Sequence, residues 1–289
     1  MEPTGIIFAG LDCDADSIEA WNRWYDLEHV PPNVSMAGVM LGHRYVASPE
    51  LHDLRRVLPE SGFSGRRGTF VTIYTLCQPP ESVFATMTTL RDKLYADNRM
   101  NFPADKKIVR EGDVFRSSWA ASSPAIMLPP EDIPFVGHTG IVCIQRRGRD
   151  EVRNWYRDVW APRVVNLHGV HGVSSLSSHN REGLDMDIVF VEGDVGVAAQ
   201  LVRTSVGHHP DAVVVLDAPF DLIQPLRYPF AAEIRGSDLP KSVAWTTVPA
   251  VLLAKLKPAP PGHQYVVVNG QVLLIALATG LILDALDVI

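Results

Sequence analysis

The amino-acid sequence predicts an α+β fold made of two tandem βαββαβ units followed by a small C-terminal β meander. Three observations predict it. First, one phrase is written twice. Trp24-Tyr25-Asp26-Leu27-Glu28-His29-Val30-Pro31, then Gly38-Val39, returns as Trp155-Tyr156-Arg157-Asp158-Val159-Trp160-Ala161-Pro162, then Gly169-Val170. The offset is 131 residues throughout, with no gap, and repetition at this scale marks a duplicated structural unit. Second, strand-like and helix-like hydrophobic periods follow one another in the same order around each copy. Third, Gln264 to Ile275 sets Asn269-Gly270 between two β-rich runs. That is a strong hairpin signal, because a type I′ turn needs positive φ at both central residues.

In the first unit, Thr4 to Leu11 reads as an apolar strand. Asp14 or Asp16 can cap the helix that follows. Its apolar side runs Ile18, Trp21, Tyr25 and on to Glu28 and His29, and Pro31-Pro32 is expected to end it. Val39 to Ala47 is strand-like. The polar stretch Ser48 to Gly68 reads as a loop. Thr69 to Leu76 is a strong strand, and Pro79 to Asn98 a helix with Val83, Met87, Leu90 and Leu94 on one face. Ile108 to Trp119 is the last strand, with a break near Gly112. This order is the split βαβ arrangement of a ferredoxin-like unit. The prolines at 124, 129, 130 and 134 mark Ala120 to Phe135 as a linker.

The second unit repeats the order. Strands are expected at His138 to Gln145, Val170 to Ser178, Asp187 to Glu192 and Ala212 to Tyr228, and helices at Asp150 to Trp160 and Val195 to Val206. The chain therefore divides into repeat 1 (1–120), repeat 2 (136–230) and a connector with a C-terminal β extension (231–289). Thr279-Gly280 offers the extension a second turn. The unbroken apolar run Val272 to Leu283 is too short to cross a bilayer, which takes about 20 residues. Strands this apolar need cover from the body of the protein or from a second copy of the chain.

Composition narrows the function. The 289 residues are 46% hydrophobic, enough for a large core, and the net charge of −7 leaves no basic footprint for nucleic acid. Three scattered cysteines, Cys13, Cys77 and Cys143, form no framework of disulfides or zinc ligands. The amino terminus shows no signal-peptide pattern. A cytoplasmic location is expected. No dinucleotide-binding glycine motif, phosphate-binding loop or serine nucleophile elbow is present.

The motif Trp24-Tyr25-Asp26-x-Glu28-His29-Val30-Pro31, the Gly38-Val39 strand start and Arg44-Tyr45 resemble the dimeric α+β barrel superfamily, and most closely its EthD-like branch. In that superfamily two ferredoxin-like units set their sheets face to face around a pocket, usually from two chains. The resemblance implies that this chain carries both units and closes an intrachain, pseudo-dimeric barrel. Its members include cofactor-free monooxygenases, isomerases, cyclases and haem enzymes, so it speaks for fold more than function.

His29 is the leading catalytic candidate. It ends the first helix four residues after Tyr25, its ordinary pKa suits proton transfer, and Glu28 or Asp26 could orient it. The resemblance implies a place for it at the mouth of the pocket. The alternative is a histidine that only caps a helix C-terminus. Trp160, its counterpart, cannot transfer protons. Glu28 and Tyr25 are the further catalytic candidates beside His29, and Trp24, His43, Arg44 and Tyr45 are candidate substrate contacts. Alternation along a strand puts His43 and Tyr45 on one face and Arg44 on the other. The competing reading is an Arg on a solvated face and a Tyr packed in the core. His168 and His171, three apart, and the adjacent His208 and His209 are pairs of a kind that metal sites use, but they fall in a turn and a loop with no third ligand at hand.

The expectation is a cofactor-independent enzyme for a small hydrophobic, aromatic or polyketide-like molecule, using histidine acid/base chemistry of lyase, isomerase or cyclase type. A cofactor-free or haem-dependent monooxygenase is the alternative, and a non-catalytic ligand-binding or assembly protein a second one. No cofactor, metal, nucleic-acid partner or membrane partner is expected. The C-terminal β extension is the expected route to a homo-oligomer.

Overall fold

A computed structural model describes residues 2–223 and, beyond them, 246–248, 250–253, 256, 258–268, 271–276 and 282–286. The chain divides into two compact units, Met1–Gln224 and Pro225–Ile289.

Repeat 1 of the first unit contains β1 (Gly5–Cys13), α1 (Ile18–Trp24), α2 (Val30–Val34), β2 (Val39–Val46), α3 (Pro49–Asp53), β3 (Arg56–Val57), β4 (Phe70–Leu76), α4 (Pro80–Ala96) and β5 (Lys107–Ser122). A 3-10 segment, Pro130–Phe135, leads to repeat 2. That repeat contains β6 (Gly140–Arg147), α5 (Asp150–Trp155), α6 (Ala161–Val164), β7 (Val170–Ser178), β8 (Leu184–Val191), α7 (Val195–Leu201) and β9 (Val213–Leu222). The strand order is β2-β4-β1-β5-β7-β8-β6-β9, with β3 on β9. Each half thus has the ferredoxin-like order. Pairing of β5 with β7 joins the halves on one side. On the other, Tyr45 pairs with Leu222 and Val46 with Asp221, which closes the ring. The fold is an α+β barrel built by one chain.

The two halves repeat bond by bond. Thr4 N–H donates to the Leu76 carbonyl and Thr139 N–H to that of Val191; Cys77 N–H donates to Gly38 and Glu192 N–H to Gly169. A Cβ on Gly5 would meet the Phe115 carbonyl at 2.1 Å, and one on Gly140 the Phe220 carbonyl at 2.4 Å. The strand at each of these positions lies too close to its neighbour for any side chain.

The inner faces of both sheets make one core, including Phe8, Phe63, Phe115, Cys143, Met186 and Phe220. The helices pack on the outer faces. Trp21, Trp24 and Tyr25 form one outer cluster, and Tyr156, Trp160 and Val164 belong to another.

Four expectations need correcting. Pro31-Pro32 does not end the first helix. Residues Tyr25–His29 form a π-helical segment, and Val30 N–H reaches back five residues to the Tyr25 carbonyl. The helix restarts there, so the prolines occupy a first turn, where a missing N–H costs little. Tyr156–Trp160 does the same before Pro162. Neither Asp14 nor Asp16 caps the first helix; Asp14 makes an ion pair with Lys106. Ser48 to Gly68 is not only loop: Ser48 caps α3 through the Leu51 N–H, Leu51 is buried, and β3 pairs with β9. The interval between the repeats is more than a tether, because Ile133 and Pro134 are buried.

In the second unit β10 (Thr246–Thr247), α8 (Ala250–Leu253), β11 (His263–Val268), β12 (Gln271–Ala276) and β13 (Ile282–Leu286) give a sheet ordered β10-β11-β12-β13. The meander therefore gains a fourth, two-residue strand. Val268 pairs with Gln271, as a two-residue hairpin requires. The expected turns at Asn269-Gly270 and Thr279-Gly280, and the end of the last strand of repeat 2 beyond residue 223, lie outside the described residues. Among the described residues no helix is long and apolar enough to cross a membrane.

Close approach at Gly140 gives a direct test. Gly140→Ala is expected to destabilise the protein by about 1–3 kcal/mol, the usual cost of overpacking. Gly137→Ala, with open space around its Cβ, is expected to change little. Urea unfolding compares them, and equal midpoints would contradict the close-packing account.

Candidate functional site

Side-chain alternation along β2 sorts the candidates. Arg44 points outward and is buried beneath α1, donating to Asp26 Oδ1 and to Asn22 Oδ1, each at 2.6 Å. Its guanidinium lies 4.5 Å from the Tyr25 ring centroid. It is a cation buried under a helix, not one on a solvated face. His43 and Tyr45 point inward and line a cavity of about 230 Å³ in the barrel. The cavity is bounded by Ile73 and Thr75 of β4, Trp119 of β5, Ser174 and Leu176 of β7, and Ile188 and Phe190 of β8. Glu131 and Pro134 of the interval between the repeats complete it.

His29 is not among the lining residues. Its helix packs on the outer face of the sheet, and its ring lies against Trp24 and Tyr25, with centroids 4.7 and 4.6 Å away. The expected place at the mouth of the pocket is not met, because the sheet stands between α1 and the barrel interior. Burial, with Lys107 and Arg44 adding to it, pulls the His29 pKa down to about 3. Its Nδ1 is buried without a hydrogen-bond partner among the described residues. Trp24 and Tyr25 are buried beside it, and Glu28 is exposed. Trp160, at the matching position of repeat 2, is wholly buried and fills the outer core.

A third residue joins His43 and Tyr45. The Tyr45 hydroxyl lies 3.3 Å from His43 Nδ1 and 3.1 Å from His138 Nε2, while His138 Nδ1 lies 2.8 Å from the Val136 carbonyl oxygen. These contacts, taken with the charge state of His138, orient the protons. A carbonyl only accepts, so His138 Nδ1 carries the hydrogen. Burial lowers the His138 pKa despite that bond, so the ring is neutral and Nε2 is an acceptor. Tyr45 therefore donates to it, and its oxygen accepts from His43 Nδ1–H. Burial, with His138 adding to it, lowers the His43 pKa to about 4. His43 is then neutral near pH 7, with a bare lone pair on Nε2. Burial raises the Tyr45 pKa, so its hydroxyl keeps its proton.

The repeat explains why only one such chain exists. Strand registers put Ser174 where repeat 1 has His43, and Leu176 where it has Tyr45. All four line the same cavity. His138 lies two residues before β6, where repeat 1 has Pro3, and outside the doubled helix phrase that drew attention to His29. In sequence it stood only as the first residue of the expected strand His138 to Gln145, a strand that begins at Gly140.

His208 bridges Asp217 and the Tyr156 hydroxyl at 3.2 and 2.9 Å. Among the described residues no group of three or more His, Cys, Asp or Glu could hold a metal ion.

Fold and site define a single-chain barrel of two ferredoxin-like units with one histidine-bearing cavity. No protein-family model and no curated protein matches the chain. Among solved structures it is similar to a haem-bound variant of DypB from Rhodococcus jostii (8% identity, 78% of this chain and 94% of that one, TM-score 0.48). It is also similar to a monooxygenase candidate from Fusobacterium nucleatum (7%, 78% and 94%, TM-score 0.44). A third is an anthrone oxidase-like protein (9%, 78% and 92%, TM-score 0.43). At TM-scores below 0.5 none of them fixes the function of this chain.

Depressed histidine pKa values make stability depend on pH. Below the unfolded value of about 6.5 the unfolded chain takes up protons that folded His29 and His43 refuse. Their contribution is full above pH 6.5 and is lost as pH falls toward 4 and 3. Urea midpoints are expected to drop over that range, and less steeply in His29→Gln. The same slope in both proteins would contradict the buried, neutral state of His29.

Proposed function

We propose that the protein is an acid/base enzyme for a small, largely apolar molecule held in the barrel, with His43 Nε2 as the base. The observation that carries this reading is the ordered chain from His43 through Tyr45 and His138 to the Val136 carbonyl. A histidine of pKa about 4 is free base at neutral pH and cannot serve first as an acid. It would take a proton from a C–H or O–H acid of the substrate. The imidazolium formed would be held by Tyr45 and paired with the new anion inside the barrel. Returning the proton to a different atom gives isomerisation; expelling a leaving group or closing a ring gives lyase or cyclase chemistry.

This reading keeps the histidine chemistry expected from sequence but moves the base from His29 to His43. The doubled Trp-Tyr phrase supports placing the chain beside the EthD-like members of the barrel superfamily. Three free cysteines are compatible with a cytoplasmic location. Deprotonation is also the step that would open a cofactor-free oxygenation, and labelled dioxygen appearing in the product would favour that second outcome.

A bicyclic ketone, 2-tetralone, is a suitable probe. The protein is expected to speed exchange of its α-protons in deuterium oxide, followed by NMR. His43→Gln is expected to lose about 10²–10⁴-fold of that rate, the usual weight of a general base. Folded His29→Gln is expected to keep it. Equal rates for the wild type and His43→Gln would overturn the assignment.

A further inference from the structure

We infer that the cavity selects an uncharged molecule of about two fused rings, polar at one edge only, and rejects carboxylates and phosphates. The inference rests on the reading of the barrel cavity as a substrate site and goes on to name the class of substrate. Three features support it.

Size comes first. An apolar cavity of about 150 Å³ takes a single benzene ring. The cavity of about 230 Å³ here has room for roughly one ring more.

Polarity is divided by repeat. Of the matching positions, Ile73 and Ile188 are alike, and the difference lies at three others. His43, Tyr45 and Thr75 of repeat 1 face Ser174, Leu176 and Phe190 of repeat 2. At these positions repeat 1 presents an imidazole, a phenol and a hydroxyl, whereas repeat 2 presents one hydroxyl and two apolar side chains. A ligand with one polar edge can satisfy both walls in one orientation. Reversed, it would set its polar group against Leu176 and Phe190, where an unpaired polar group costs roughly 1–3 kcal/mol. The duplication therefore builds one oriented site, not two equivalent ones.

Charge decides the rest. Among the described residues that line the cavity there is no Lys or Arg. Arg44, the nearest cation along β2, is turned outward and engaged by Asp26. His43 and His138 are neutral at pH 7, so neither offers a positive charge to an incoming anion. Glu2 and Glu131, both exposed, add negative charge where they border the cavity. A carboxylate entering this space would lose its hydration with no cation to replace it, and buried charges are tolerated only when paired. An uncharged acid avoids that cost, since its charge appears only when His43 becomes the partnering cation.

Calorimetric titration with three probes of one shape tests the inference: 2-naphthol, 2-tetralone and 2-naphthoate at pH 7. The two neutral probes are expected to bind with one molecule per chain, and the carboxylate at least tenfold more weakly. Ser174→Arg, which places a cation on the repeat 2 wall, is expected to reverse that order. Two molecules per chain, no binding of either neutral probe, or naphthoate binding as tightly as naphthol would overturn the inference. The proton-transfer reading fails separately. If the neutral probes bind selectively while tetralone exchange is no faster than in buffer, the ligand class stands and the catalytic role of His43 does not.

Discussion

Each four-stranded sheet of this barrel has helices on one side only, and the apolar face left over has nothing to cover it except the same face of the other sheet. That constraint organises the molecule. It draws Phe8, Phe115 and Phe220 into one core from strands far apart in the chain. It needs both seams, β5 with β7 and β9 with β2, to hold the sheets in register. Within each sheet, paired strands come so close at Gly5 and Gly140 that only glycine fits. Supplying both sheets from one chain removes the concentration dependence of a two-chain assembly.

The cavity is the part of this shared core that side chains leave open. Its chemistry follows from the freedom that duplication gives. In a barrel of two identical chains the two walls must match. In a fused one they can diverge while the fold stays the same. Here repeat 1 holds His43 and Tyr45, and repeat 2 holds Ser174 and Leu176. The segment of repeat 2 just before β6 brings His138 to the Tyr45 hydroxyl. The proton chain thus draws on repeat 1 and on a segment outside both repeated sets of strands.

Much of the fold was legible in the sequence because it is local and periodic. The doubled phrase predicted two equivalent helices, and alternation around Arg44 predicted that His43 and Tyr45 share a face. What was not legible depended on contacts distant in sequence. The π-helical segments at Tyr25–His29 and Tyr156–Trp160 let the helices run past prolines that local rules read as stops. Helix α3 was hidden in a polar stretch because its stability comes from burying Leu51. His29 drew attention as the residue that breaks the repeat, yet breaking a repeat does not say which side of a sheet a residue occupies. His138 stands where repeat 1 has Pro3, and only the folded barrel sets it against Tyr45.

The central claim is the direction of the protons in this chain, since that alone leaves a bare nitrogen on His43. Long-range nitrogen-15 correlation NMR of the histidine rings at neutral pH reads it directly. The account predicts that His43 and His138 both carry hydrogen on Nδ1, with Nε2 unprotonated in each. A hydrogen on Nε2 of His43, as the other tautomer or as an imidazolium, would contradict it.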